Sequence, residues 1–124
     1  MKRYVWALAI AGVLTSCYDQ ERHCTDFQTG EFEFETTIDG QTQKTRFIRT
    51  MEYEVDFYDN KVDTSDVRWV SDCEYVLTKR HPKSMVDEKP LSMKILSTKG
   101  NQYQFEYGIV GSTNRQRGTV TKLN

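Results

Sequence analysis

Apolar and aromatic side chains recur at every second position along most of the chain after residue 30. Phe32, Phe34, Thr36 and Ile38 alternate with Glu31, Glu33, Glu35 and Thr37. An extended backbone turns successive side chains to opposite faces, so this period builds a strand with one face buried and one in water. A helix would scatter the same residues around its axis. Asp39-Gly40 follows at once, a dipeptide suited to a two-residue hairpin loop. Such a loop sets Ile38 opposite Gln41, Phe34 opposite Thr45 and Phe32 opposite Phe47. Phe47 then joins the apolar face, while Arg46 and Ile48 point away.

The pattern continues along the chain. Met51, Tyr53, Val55 and Phe57 fall on one face and Glu52, Glu54 and Asp56 on the other, and Asp59-Asn60 makes the turn. Val67 and Trp69 share a face in the run 62–70, and Ser71-Asp72 leads into Cys73, Tyr75 and Leu77. A loop over 80–90, bounded by Pro82 and Pro90, leaves room for one helical turn at 84–88. Leu91, Met93 and Ile95, then Tyr103, Phe105, Tyr107 and Ile109, mark two more strands around a turn at 99–101. A last strand covers 118–123. Composition agrees: no alanine follows residue 11, and Val, Ile, Phe, Tyr, Trp and Thr supply 38 of the 108 residues from 17 onward. The expectation is an all-β domain of about eight strands in an antiparallel meander. Closed on itself, it makes a small up-and-down, lipocalin-like barrel without open edges; a two-sheet sandwich is the alternative.

The first residues read as an address. Lys2 and Arg3 precede an uncharged, mostly apolar stretch from Val5 to Leu14. Ten residues are too few to cross a bilayer core, which needs about 20, but they match the apolar region of a signal peptide. The segment ends Leu14-Thr15-Ser16-Cys17. This resembles the bacterial lipobox, in which the cysteine thiol takes a diacylglyceryl group and the chain is cut just before it. The expected organisation is a signal peptide over 1–16, a polar tether over 17–26 from lipidated Cys17, and one β domain over 27–124. The chain after the cut has 108 residues, with 15 basic against 18 acidic, and would be anchored to a membrane without spanning it. The expected place is the cell envelope, at the outer membrane on its periplasmic or surface face.

Charge and motif place further bounds on function. The whole chain balances 17 basic against 18 acidic residues, which gives no basic footprint for nucleic acid. The seven glycines sit singly, so there is no phosphate-cradling loop, and no nucleophile stands beside a base at a recognisable elbow. His23 and His81 read as surface histidines. Glu31/Glu33 and Glu52/Glu54 read as solvated strand faces, and Asp63 and Asp66 as turn residues. The expectation is a non-enzyme without cofactor or metal.

The aromatics offer more. Most of them share the faces expected to point inward, which gives either a packed aromatic core or an aromatic-lined pocket. For a pocket, Trp69, Tyr53, Tyr103 and Tyr107 are the candidate ligand contacts, with Arg49 and Arg68 as polar anchors near strand ends. With Cys17 assigned to lipid, Cys24 and Cys73 form an even pair in an exported chain, the setting that favours a disulfide; two separate thiols are the alternative.

Two segments carry a family resemblance. Cys24-Thr25-Asp26-Phe27-Gln28-Thr29-Gly30-Glu31-Phe32-Glu33-Phe34 and Arg68-Trp69-Val70-Ser71-Asp72-Cys73-Glu74-Tyr75-Val76-Leu77 resemble a family of small exported proteins from Bacteroidota. That family has a Cys-x-x-Phe-x-x-Gly-x-Phe start and a Trp-x-x-x-Cys-x-Tyr centre. The resemblance supports pairing Cys24 with Cys73. Some members carry the label DNA topoisomerase IV. A type II topoisomerase needs an ATPase domain and a nucleophilic tyrosine in a large DNA gate, and a chain of this length and charge supplies neither.

The expected function is a lipid-anchored envelope protein that binds a small apolar or amphipathic ligand in a barrel. The alternative is an envelope protein-protein interaction module with a packed core. Cys17→Ser should move the protein from the membrane fraction to the soluble fraction. Unchanged membrane retention of an unlipidated product would overturn the anchor.

Overall fold

Two turns set the architecture. Asp39 and Gly40 both take positive φ (52° and 76°), as do Asp59 and Asn60 (47° and 59°). Paired left-handed residues are what a two-residue hairpin loop matched to strand twist requires. The structure is a computed structural model that describes residues 22–124; the expected signal segment over 1–16 and the expected lipidation site, Cys17, lie outside the described residues. Eight strands follow in chain order: β1 (Gly30–Ile38), β2 (Gln41–Arg49), β3 (Tyr53–Tyr58), β4 (Lys61–Trp69), β5 (Glu74–Lys79), β6 (Leu91–Lys99), β7 (Gln102–Ile109) and β8 (Gln116–Lys122). Each pairs antiparallel with the next, and β8 returns to β1, so the sheet is a closed barrel rather than a sandwich.

The first hairpin has the register expected from Asp39-Gly40, with Phe32 opposite Phe47 and Phe34 opposite Thr45. Phe32, Phe47, Ile95, Tyr103, Phe105 and Val120 form the main buried cluster, and Val67, Tyr75 and Leu77 a second one. Ring geometry fixes the packing: Phe32 stacks on Phe47 at 5.1 Å, and Phe34 meets Phe105 edge-on at 5.4 Å. That edge-on pair lies directly against β8 because position 118 is glycine. A Cβ there would come within 2.5 Å of Phe34 and 2.8 Å of Phe105.

One strand departs from expectation. β3 turns Glu54 inward, where it is 5% exposed, and leaves Tyr53 and Phe57 more than a third exposed on the outside. The reason is register. The inward face of β2 ends at Arg49, which pairs with Glu54, and the Asp59-Asn60 turn pairs Glu54 with Ser65 and Asp56 with Asp63. With Val67 inward on β4, the acidic face of β3 must also be inward. The hydrophobic pattern of β3 alone points the other way, and the turn geometry prevails.

The barrel ends differ. At the lower end a 3-10 turn, Cys24–Phe27, lies across the opening with Cys24 and Phe27 buried. The fold thus takes up Cys24, Thr25 and Asp26, which the sequence assigned to the tether. Cys24 is disulfide-bonded to Cys73 in the β4–β5 loop, with Cα atoms 5.2 Å apart. The Lys122 ammonium donates to the Asp26 carbonyl (2.7 Å) and the His23 N–H to Thr98 Oγ1 (2.9 Å). The upper end carries the 39–40 and 59–60 turns and the 80–90 loop. Among the described residues no helix is long and apolar enough to cross a membrane.

Replacing both Cys24 and Cys73 by serine removes a cross-link between residues 49 apart. Urea unfolding should show a loss of about 4 kcal/mol by the chain-entropy relation.

Candidate functional site

Arg49 is the last residue of β2, and the barrel parity points it inward, where it is 1% exposed. All its donors are used. Nε–H donates to the Gln28 carbonyl (3.0 Å) and Nη2 to the Phe27 carbonyl (2.5 Å). Nη1 donates to Glu54 Oε1 (3.1 Å) and the Tyr75 hydroxyl (2.7 Å), and both Nη1 and Nη2 lie 3.4 Å from the Tyr103 hydroxyl. The guanidinium also faces the rings of Tyr75 at 4.6 Å, Phe32 at 4.7 Å, Phe47 at 5.5 Å and Trp69 at 5.7 Å. Burial works against its charge, but the oxygens of Tyr75, Tyr103 and Glu54 hold its pKa above the usual range. A charge this well enclosed has no donor to spare for a ligand. Arg49 is therefore a structural plug that ties the 3-10 turn to the barrel floor, not the polar anchor expected from sequence.

Above the plug lies a cavity of about 530 Å³. One side is apolar, with Phe34, Met93, Phe105 and Val120, and the cavity reaches the upper rim at Tyr58, Lys79 and Leu91. The other side carries Glu54 and Asp56. A smaller space of about 270 Å³ shares Asp56, Leu77, Lys79 and Leu91 and runs beneath the 80–90 loop at Val86 and Asp87.

The carboxyls differ in whether a cation faces them. Glu54 is paired with Arg49; burial raises its pKa and Arg49 partly offsets the rise. At the rim, Lys79 Nζ lies 3.3 Å from Asp63 and 3.5 Å from Asp87. Burial opposes the Lys79 charge, and these two carboxylates more than compensate. Asp56 makes no ion pair among the described residues. Burial, then the charge of Glu54, a hydrogen bond shared with the Glu54 carboxylate and the charge of Asp63, push its carboxyl up to about 8, with Arg49 pulling weakly the other way. At neutral pH Asp56 is thus mainly a neutral acid facing the cavity.

The expected contact residues divide. Tyr103 and Tyr107 line the cavity. Trp69 is half-buried lower down, tilted against Tyr75 at 4.6 Å, with its indole N–H buried and without a hydrogen-bond partner among the described residues. Tyr53 lies on the outside under the Arg80 guanidinium, 5.4 Å from its ring centre. Arg68 points outward into solvent, because its neighbours Val67 and Trp69 take the inward positions of β4. Glu54, Asp56, Asp63 and Lys79 are the residues that sequence reasoning missed: Glu54 and Asp56 alternate with aromatics and read as a solvated face, and Asp63 reads as a turn residue. The usable signal was the turn: a two-residue loop at 59–60 makes an inward Val67 incompatible with an inward Phe57.

Among the described residues no group of three or more His, Cys, Asp or Glu is placed to hold a metal ion. A scan against protein-family models finds no match, and a search of the curated proteins finds none either.

Asp56 makes stability depend on pH with a definite sign. Its pKa is about 8 in the fold, against about 3.9 in an unfolded chain, so between those values the folded state holds more protons. Its contribution is most favourable below about pH 4 and is lost as pH rises through 8. Asp56→Asn should therefore be more stable than wild type at pH 8.5, by about 1–3 kcal/mol, and the gap should close toward pH 5. Paired thermal melts at the two pH values check this; a gap independent of pH would contradict it.

Proposed function

We propose that this chain is a non-catalytic binding protein that holds a small amphipathic molecule inside its barrel. The observation that carries the reading is the cavity of about 530 Å³, which lies within the roughly 300–1,000 Å³ usual for small-molecule sites. An apolar wall with a few convergent polar groups is also what such sites share. The floor is fixed by Arg49 and the disulfide, so entry is from the upper end. The lipobox at Leu14–Cys17 and the resemblance to exported Bacteroidota proteins support a place in the cell envelope, and a disulfide suits an oxidising compartment. Residue 24 enters the barrel at its lower end. A tether from Cys17 would then leave the cavity mouth facing away from the membrane.

A second reading has its own support. Ile48, Tyr53, Phe57 and Val62 lie on neighbouring strands of the outer surface with more than a third of their area in water. Such a patch suits a protein partner in the envelope.

The neutral dye Nile red tests the cavity. It should bind saturably, one per chain, with blue-shifted emission. Leu91→Trp, which puts a larger side chain at the rim, should weaken it about tenfold while leaving the melting temperature within a few degrees. Absence of saturable binding to the wild type would leave the interaction reading in its place.

A further inference from the structure

The cavity has an acid with no cation to balance it. Two cations make ion pairs around this space: Arg49 with Glu54, and Lys79 with Asp63 and Asp87. Those pairs use three carboxylates. The fourth, Asp56, sits between Glu54 and Asp63 on adjoining strands and borders both the main cavity and the space under the 80–90 loop. Lys89 also borders the smaller space, but it is exposed and makes no ion pair among the described residues. The other titratable groups lining these spaces are Tyr58 on its own strand, Tyr75 on β5, and Tyr103 and Tyr107 on β7. None of them supplies a positive charge.

We infer that the molecule held in the barrel is an amphipathic amine, whose ammonium group pairs with Asp56 and whose apolar body lies along Phe34, Met93, Leu91, Phe105 and Tyr107. This rests on the cavity reading above and gives the ligand its chemical class. The geometry favours a cation for two reasons. A third negative charge beside Glu54 and Asp63 is costly in a partly desolvated wall, and an incoming N⁺–H group removes that cost by forming a charge-assisted hydrogen bond. An anionic head would meet the carboxyl side of the main cavity, where the Arg49 and Lys79 cations are already paired with Glu54, Asp63 and Asp87. The proton balance is simple. The amine enters as ammonium, the Asp56 carboxyl gives its proton to solvent, and the ammonium N–H then donates to the carboxylate. With the empty-site pKa at about 8, close to one proton should leave per ligand at pH 6.5 and almost none at pH 9.5.

The test is isothermal titration of the intact domain with three ten-carbon probes, decylamine, decanol and decanoate, in two buffers of different ionisation enthalpy. Decylamine should bind about tenfold tighter than decanol, and decanoate most weakly. Buffer dependence should report proton release at pH 6.5 that vanishes by pH 9.5. Asp56→Asn should remove the tenfold preference, so that decylamine and decanol bind that variant within about twofold of each other. Should that variant fail to fold, the proton release measured on the wild type decides alone. Equal binding of all three probes, or amine binding without proton release, overturns the amine while leaving the cavity reading intact. Binding of none of the probes, together with no saturable Nile red signal, overturns both.

Discussion

A single buried cation organises this barrel. Arg49 sits where the sheet would otherwise open at its lower end, and five protein oxygens and five aromatic rings hold it there. A buried charge is tolerable only when its partners are complete, and removing one member of such a pair typically costs about 3–5 kcal/mol. The carbonyls of Phe27 and Gln28 are among those partners. The guanidinium therefore fixes the segment that closes the floor, and the disulfide fixes it a second time from the other side.

The acidic lining follows from that position. Arg49 needs an inward anion on the next strand, and the register delivers Glu54. Once Glu54 is inward, period two brings Asp56 inward as well, and the β3–β4 turn sets Asp63 against it. Only Glu54 has the guanidinium. Thus the constraint that plugs the floor also leaves one unbalanced acid on the wall of an otherwise apolar cavity, and that imbalance is what points to the chemistry of a ligand.

Much of this was legible in the chain. Alternation along β1, the Asp39-Gly40 loop and the absence of alanine after residue 11 point to the strands and to the first register, residue for residue. Cys24 and Cys73 could be paired by counting. The site was harder. Tyr103 and Tyr107 were expected in the cavity and are there, but Tyr53 and Arg68 lie outside, and Arg49 serves the fold. The error in β3 came from weighing hydrophobicity strand by strand. Aromatic residues on an outer barrel face cost little, whereas a slipped register would break a tight turn and every ladder bond beyond it.

The sequence by itself determined the class of fold and the order of strands, and favoured Cys24 with Cys73 over two separate thiols, because these depend on local period, turn chemistry and the setting of the cysteines. Only the tertiary structure decided which face of β3 is inside, that Arg49 is a plug, and that Asp56 stands in the cavity without a cation. Those outcomes depend on closing the sheet. Closure passes the parity of each strand to its neighbour and sets charges far apart in sequence within a few ångströms of one another.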